Sequence, residues 1–272
     1  MSNLSILEDE TPVVMGILNV TPDSFSDGGK FNNIESALKQ AEQMLQDGAR
    51  ILDVGGESTR PGAQAVSLDE ELQRVVPVIE AIKSRFDCLV SIDTSKAHVM
   101  RESVAAGADL INDVCALQED GALEEAARLN VPVCLMHMQG QPRTMQTAPH
   151  YENVVAEIQQ FLLQRAQACI DAGISKENII LDPGFGFGKT LEHNCEILAN
   201  IGAMVKSLPY PLLIGLSRKS MFGGLLGCDV ANRLTPSVVA ATLCMQQGAK
   251  IARVHDVRET ADALQILAVM QS

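Results

Sequence analysis

The stretch QDGARILDVGG, residues 46–56, contains the pattern on which the fold depends. Its Gly48 stands where a helix C-terminus favours a left-handed residue. The short apolar run 51–56 that follows is typical of a strand buried on both faces. Asp53 lies inside that run, where a carboxylate needs a partner. The stretch therefore predicts the end of a helix and then a buried strand with a polar side chain near its own end.

The same pattern recurs along the whole chain. Eight short apolar runs are predicted to be strands: 13–20, 51–56, 89–93, 110–114, 131–138, 179–184, 211–217 and 251–256. Eight segments have apolar residues at helical spacing: 33–49, 67–86, 95–108, 120–130, 152–174, 191–208, 235–249 and 257–271. Units of about 34 residues are typical of a closed (β/α)8 TIM barrel, with an open doubly wound sheet as the alternative. Because no linker-like segment divides the chain, we predict a single domain over residues 1–272.

Composition argues against several classes of partner. The chain has 21 basic and 34 acidic side chains, a formal net charge of −13, whereas nucleic acid or an anionic membrane needs an extended positive potential. We therefore expect neither as a partner. The seven cysteines lack the paired spacing of a zinc site, and residues 1–12 lack the features of a secretory signal. These observations predict reduced thiols and a cytoplasmic location.

Polar side chains recur near the C-terminal ends of the apolar runs. They are Asn19, Asp53, Asp93, Asn112, His137, Asp182, Ser217 and His255. Because the C-terminal ends of all strands in a barrel open on one face, these groups are predicted to surround one pocket. The alternative is that each residue caps the following helix or braces a turn.

The segment DPGFGFGKT, residues 182–190, is not a phosphate-binding P-loop. A P-loop needs four residues between its first glycine and its Gly-Lys pair, whereas Gly184 and Gly188 enclose three. The dinucleotide fingerprint fails as well, because the third glycine comes too early. We interpret the segment as a glycine-rich strand end that lets a planar ligand approach the backbone beside Asp182 and Phe187.

The run RVHD, residues 253–256, favours an anion site. Alternate residues of an extended strand point the same way, so Arg253 and His255 share one side and offer positive charge together.

Cys134 and His137 lie in one short strand without an orienting acid, which argues against a nucleophilic Cys/His couple.

Seven motifs together closely resemble the dihydropteroate synthase family. They are MGILNVTPDSFSDGG (15–29), DVGGESTRPGA (53–63), SIDT (91–94), NDV (112–114), DPGFGFGK (182–189), GLSRKS (215–220) and RVHDV (253–257). The resemblance runs from residue 13 to the C-terminus. It implies a (β/α)8 barrel of folate synthesis that joins 6-hydroxymethyl-7,8-dihydropterin diphosphate to 4-aminobenzoate. The products would be 7,8-dihydropteroate and diphosphate, formed on an SN1-like path that needs no side-chain base because an arylamine is neutral at pH 7.

The resemblance also implies a role for individual residues. Pterin binding is assigned to Asp93, Asn112, Asp182 and Lys219, with Met136 as a further substrate-binding residue. The diphosphate is assigned to Arg60, Arg253 and His255, and a Mg²⁺ ion that touches it is assigned to Asn19. The 4-aminobenzoate is assigned to Thr59, Arg60, Pro61, Phe187 and Ser217. Arg60, Lys219, Arg253 and His255 are the expected catalytic groups, so pterin and diphosphate residues form two separate sets.

Loops and surfaces give three further expectations. Two long connections are predicted to be lids over the pocket. They are residues 21–31, which include Phe25, and residues 56–66. The segment 235–249 is apolar around much of a helix, which with the resemblance predicts a homodimer. Sulfonamides are expected as inhibitors because of the resemblance.

Two other functions stay open at this point. A pterin-binding methyltransferase would hand a methyl group to a corrinoid cofactor and would not need the diphosphate residues. A non-catalytic pterin-binding barrel would keep Asp93, Asn112 and Asp182 but would release no diphosphate. Within the site, Asp182 and Lys219 could instead form a structural ion pair.

Overall fold

The computed structural model describes residues 12–21, 30–58, 65–140 and 145–271, without the side chains of residues 30–33 and 271. The strands are β1 Val13–Asn19, β2 Ile51–Gly55, β3 Leu89–Asp93, β4 Leu110–Asp113, β5 Val133–Met136, β6 Ile179–Asp182, β7 Leu213–Ile214 and β8 Ile251–Val254. The helices are α1 Lys30–Gln46, α2 Leu68–Arg85, α3 Ala97–Ala105, α4 Ala122–Leu129, α5 Val154–Asp171, α6 Leu191–Ala199, α7 Ile201–Ser207, α8 Ser220–Leu226, α9 Leu234–Gln246 and α10 Val257–Gln271. None of the helices in these ranges is long and apolar enough to cross a membrane.

The eight strands of the described ranges form one parallel sheet in the order β6-β5-β4-β3-β2-β1-β8-β7. A further parallel bridge between Leu181 of β6 and Leu212, just before β7, brings the two edges together and nearly closes the sheet. Helices lie between successive strands. The predicted (β/α)8 barrel is thereby confirmed, and the open doubly wound alternative is excluded.

Alternation along the strands separates two hydrophobic cores. On one side of β2, Leu52 and Val54 are buried in the large core between strands and helices. On the other side, Ile51 belongs to a small second core whose other buried members are Val13, Met15, Leu110, Cys134, Ile180, Leu213 and Ile251. Asp53 shares this second side with Ile51 because strand residues two apart point the same way. The residues on this second side are thus apolar toward the N-terminal ends of the strands and polar toward their C-terminal ends.

Helix ends follow the glycine signals of the sequence. Gly48, Gly107, Gly173 and Gly248 have φ values of 106°, 111°, 102° and 101°. This left-handed conformation ends α1, α3, α5 and α9 and turns the chain into the next strand. The helix end predicted at Gly48 is therefore confirmed, and three other helices end in the same way.

Two stretches differ from the predicted elements. The predicted helix 191–208 is two helices, because Asn200 separates α6 from α7 and its side-chain Nδ2 donates to the carbonyl oxygen of Glu196 at 2.8 Å. Asparagine competes with helical backbone bonding in this way. The predicted strand 211–217 is confined to Leu213–Ile214, and the chain then turns through Arg218, whose φ is 56°, into α8. That helix was not predicted.

Candidate active site

The strands bring most of the predicted residues to one end of the barrel. Asn19, Asp93, Met136 and Asp182 are the last residues of β1, β3, β5 and β6. In the strand register Asp93 pairs with Asn112, and Met136 pairs with Asp182. The remaining described candidates are Phe187, Ser217, Lys219, Arg253 and His255, which lie on β8 or in the segments that follow β6, β7 and β8. Thr59, Arg60, Pro61 and Phe25 lie outside the described residues, as do most of the first lid and the middle of the second.

A buried acidic centre holds Arg253. The Nε of Arg253 donates to Asp53 Oδ2 at 2.6 Å, and its Nη2 donates to Asp93 Oδ2, also at 2.6 Å. Asn112 donates from Nδ2 to the same Asp53 oxygen at 3.2 Å. Asp53 has no solvent-exposed surface and Asp93 is 8% exposed, so both carboxylates depend on these partners. Arg253 and Asn112 are thus oriented by one carboxylate that was not among the predicted ligand-binding residues.

These contacts join the predicted pterin set to the predicted diphosphate set. Arg253, expected at the diphosphate, forms an ion pair with Asp93, expected at the pterin. The physical reason is that carboxylates at the centre of a barrel need a cation nearby, and Arg253 on β8 is next to β1 and close to β2 and β3. The two sets therefore share an ion-pair network.

The carboxylates of the site differ from ordinary surface acids. Burial raises the pKa of Asp93 to about 7, although Arg253 opposes the effect. Burial also raises the pKa of Asp182, which the backbone N–H of Gly184 and the nearby Lys219 partly offset. For Arg253, burial acts to lower the pKa, but Asp53 and Asp93 outweigh it and hold the pKa above its ordinary value. The guanidinium therefore stays charged, whereas the protonation of Asp93 changes near neutral pH.

The glycine-rich segment after β6 places an aromatic ring beside a cation. Asp182 accepts a hydrogen bond from the backbone N–H of Gly184 through Oδ1 at 2.7 Å. Lys219 Nζ lies 4.2 Å from the centroid of the Phe187 ring, a cation–π contact. The segment thus joins a carboxylate acceptor, a flat apolar face and an ammonium group, which suits a planar heterocycle next to an aromatic ring.

Ser217 and His255 are direct partners. Ser217 Oγ accepts from the backbone N–H of His255 at 3.1 Å and lies 3.0 Å from its Nδ1. The segments after β7 and β8 are therefore held together at the rim. A residue assigned to the aminobenzoate is in contact with one assigned to the diphosphate.

Beyond the ends of β3, β4 and β5 there is a cavity of about 880 Å³. Asp93 and Met136 line it on the barrel side, and Lys96, Cys115 and Phe161 are among its other lining residues. Its volume lies in the range of pockets that take cofactor-sized or drug-sized molecules. The cavity therefore meets the candidate site at Asp93 and Met136.

Two strongly buried groups of the site were missed in the sequence. Asp53 was noted as a strand-end carboxylate, but nothing local indicated that it would hold Arg253, 200 positions away. Lys189 is only 3% exposed, and its Nζ lies 2.9 Å from Nδ1 of His137. The only sequence signal for Lys189 was its place in the GFGKT run.

The Cys134/His137 couple is not supported, because burial raises the pKa of Cys134 well above its ordinary value while His137 contacts Lys189.

Comparisons with known proteins agree on one family. The family described as "Pterin binding enzyme" matches residues 15–255. The dihydropteroate synthase of Haemophilus influenzae is 55% identical over 97% of this chain and 96% of its own length. The dihydropteroate synthase of Escherichia coli strain K12 is also 55% identical, over 94% of this chain and 90% of its own.

Solved structures give the same result. A Yersinia pestis dihydropteroate synthase in a sulfonamide drug complex superposes with a TM-score of 0.91 at 54% identity, covering 97% of this chain and 96% of that one. A Xanthomonas albilineans dihydropteroate synthase in complex with 7,8-dihydropteroate superposes with a TM-score of 0.87 at 46% identity, covering 96% and 94%. The similarity extends over nearly the whole of each chain.

Proposed function

Since the chain belongs to the dihydropteroate synthases within the pterin binding enzyme family, we propose that its pocket joins 6-hydroxymethyl-7,8-dihydropterin diphosphate to 4-aminobenzoate. The chain is thus a transferase of folate biosynthesis. The observation that carries the proposed residue roles is the convergence of Asp93, Asn112, Asp182 and Arg253 at one end of the barrel.

Pterin recognition rests on buried acceptors. A pterin presents adjacent N–H donors along its guanidine-like edge, which a carboxylate accepts in pairs. Asp182 has one oxygen engaged by Gly184 and keeps lone pairs for a ligand, and Asn112 can offer both an acceptor and a donor. Asp93 borders the cavity beyond β3, β4 and β5, which Met136 also lines. Met136 would be an apolar neighbour of the pterin ring. Lys219 completes this part of the site from the segment after β7.

The chemical step is the loss of diphosphate from the pterin methylene carbon. The C–O bond breaks with both electrons going to diphosphate, and electron donation from the dihydropterin ring stabilises the cationic carbon. The neutral amine of 4-aminobenzoate then forms the C–N bond and loses a proton to solvent. Arg253 and His255, together with Arg60 from the second lid, would stabilise the charge that grows on the leaving group.

The aminobenzoate half of the site is proposed at the rim. Phe187 offers a flat face beside Lys219, and Ser217 is held in place by His255. Thr59, Arg60 and Pro61 would complete this half from the second lid. Because the Yersinia pestis relative is known in complex with a sulfonamide drug, we propose that sulfonamides compete with 4-aminobenzoate here.

The residues at the end of β1 fit a Mg²⁺ ion. A Cβ placed on Gly55 would be 3.6 Å from Asn19 Oδ1, so the bare glycine leaves the space beside this hard amide oxygen open. Within the described ranges there is no cluster of three or more His, Cys, Asp or Glu side chains. Mg²⁺ suits this arrangement because it keeps several waters and takes few protein ligands beside substrate phosphates. Asn19 would hold the ion, which would neutralise charge on the diphosphate.

The proposed homodimer rests on α9 and α10, which lie against each other. Val239 and Leu243 of α9 are 52% and 48% exposed, and Ile266 of α10 is 66% exposed. An apolar surface of this kind is typical of an interface. A second copy of the chain is proposed to cover it.

A cytoplasmic location is also proposed. All seven cysteines are free thiols, and Cys134, Cys169 and Cys244 are buried. Reduced thiols are typical of proteins in a reducing compartment.

The function is tested by measuring diphosphate release from the pterin diphosphate with and without 4-aminobenzoate. We expect release that depends on 4-aminobenzoate, on Mg²⁺ after EDTA treatment, and on the side chain of Asn19. Binding of the pterin without any release would instead identify a non-catalytic pterin-binding barrel. Methyl transfer to a corrinoid acceptor would identify the methyltransferase alternative.

A further inference from the structure

Lys189 is a buried lysine whose hydrogen-bond partners carry no charge. Its Nζ donates to the carbonyl oxygens of Gly184 at 2.9 Å and Phe187 at 3.0 Å. It also lies 2.9 Å from His137 Nδ1 and 3.3 Å from the His137 carbonyl oxygen. Burying an ammonium group is costly, and this burial lowers the pKa of Lys189 to about 7. A neutral apolar side chain would avoid that cost, so the donors of Lys189 serve a purpose that Met or Leu could not.

The partners of Lys189 are the two ends of a tight turn. Gly184, Gly186 and Gly188 have φ values of 70°, 80° and 63°, which only glycine adopts readily. A Cβ on Gly184 would collide with the His137 carbonyl oxygen. The turn therefore lies with its backbone directly against the end of β5. Lys189 reaches back under its own turn and donates to the carbonyl groups of Gly184 and Phe187, the first of which also accepts the backbone N–H of Phe187.

The other face of the same turn carries site groups. The backbone N–H of Gly184 is bonded to Asp182, and the ring of Phe187 lies under Lys219 Nζ. Because Lys189 bonds the carbonyl group of Phe187 itself, it restrains the backbone at the residue that carries the ring. Asp182 depends on Lys189 less directly, since it is fixed by its own strand β6 and by one N–H.

We propose that Lys189 is a positioning residue that fixes the 184–188 turn, and with it the Phe187 ring, for the aminobenzoate half of the reaction. This inference rests on the proposed function, in which Phe187 contacts the aminobenzoate. It differs from a general structural role because it predicts unequal effects on the two substrates. Three of the four groups proposed for the pterin, Asp93, Asn112 and Asp182, lie on strands, whereas the aminobenzoate needs the Phe187 ring at the correct angle.

The test compares Lys189→Met with Lys176→Met as a matched control. Lys176 is an exposed lysine at the opposite end of β6, outside the site. For Lys189→Met we expect the KM for 4-aminobenzoate to rise about tenfold or more, as the loss of two or three hydrogen bonds implies. The Kd of the pterin diphosphate, measured by calorimetry, should change less than about threefold, within the effect of one weak contact. Lys176→Met should change neither value.

A second variant, Lys189→Gln, keeps two N–H donors on a shorter side chain, and its KM should lie between those of the wild-type and Lys189→Met proteins. Equal losses for both substrates, or no loss for either, would overturn the assignment. If neither variant at position 189 folds, as judged by circular dichroism, Lys189 serves only stability and the assignment is rejected. A failure of the proposed function is distinguishable, because then the wild-type and Lys176→Met proteins would release no diphosphate either.

Discussion

Arg253→Ala tests whether the pterin and diphosphate parts of the pocket depend on each other. Arg253 donates to Asp53 and Asp93 at 2.6 Å each, and these carboxylates are 0% and 8% exposed. The substitution leaves both without their cation in a buried setting. The pKa of Asp93 is about 7 with Arg253 in place, and it should rise further because Arg253 opposes the effect of burial.

The expected loss of pterin affinity is larger at pH 8 than at pH 6. At pH 6 Asp93 is mainly protonated in both proteins, since its pKa of about 7 in the wild type rises in the variant. At pH 8 the wild-type carboxylate is mainly ionised, while the higher pKa of the variant keeps a larger fraction of the carboxyl protonated, a form that cannot accept N–H groups in pairs. A hydrogen bond to a charged group contributes roughly 1.5 to 3 kcal/mol, equivalent to about 10- to 150-fold in Kd. The variant should bind the pterin that much more weakly at pH 8, and almost normally at pH 6.

The assay is calorimetric binding of 6-hydroxymethyl-7,8-dihydropterin, which carries no phosphate, at both pH values. Arg258→Ala is the matched control, because Arg258 is an arginine of α10 that is 64% exposed and pairs with Asp262 at the surface. Turnover of the pterin diphosphate should fall further, by about 10²- to 10³-fold for one preorganised donor. Equal pterin affinity in variant and wild type at pH 8 would refute the coupling and restore the two separate sets predicted from the sequence.

Three further outcomes are expected. Asp182→Asn should weaken pterin binding by about 10- to 150-fold, because an amide presents donors to donors; unchanged calorimetric affinity would remove Asp182 from the site. Deletion of residues 23–29 should leave a folded barrel, as judged by circular dichroism, but abolish turnover, and near-normal activity would disprove the lid assignment. Leu243→Glu should convert the dimer to a monomer of 29.2 kDa in sedimentation, and a wild-type protein that sediments only at that mass would contradict the proposed dimer.

The fold was largely predictable because its signals are local. A buried parallel strand such as β2 needs a short apolar run, and a helix such as α1 ends at a glycine that can adopt a left-handed conformation. Both signals lie within a few residues of the element that they define. The break at Asn200 was missed because it depends on competition between side-chain and backbone hydrogen bonds.

The positions of the candidate site residues were largely predictable, and their pairing was less so. Strand ends meet at one end of any barrel, so the positions of Asp93, Asn112 and Asp182 followed from the topology. The ion pair between Asp93 and Arg253 joins residues 160 positions apart, and no local pattern determines which carboxylate a given arginine will reach. Lys189 was missed for a related reason, since a lysine after a glycine-rich turn is ordinarily expected in solvent.

The same pocket must satisfy ligand groups of opposite character, and the network around Arg253 explains how an acidic chain can do so. The pterin edge needs acceptors, which buried carboxylates supply, whereas the diphosphate needs donors and positive charge. Asp53 and Asp93 take up Nε and Nη2 of Arg253, so of its three nitrogens only Nη1 is not bonded to these carboxylates. One arginine so engaged brings little net positive charge to the leaving group. Under the proposed function, the remainder would come from groups that the carboxylates do not occupy, and we propose His255, Mg²⁺ and Arg60 for this role.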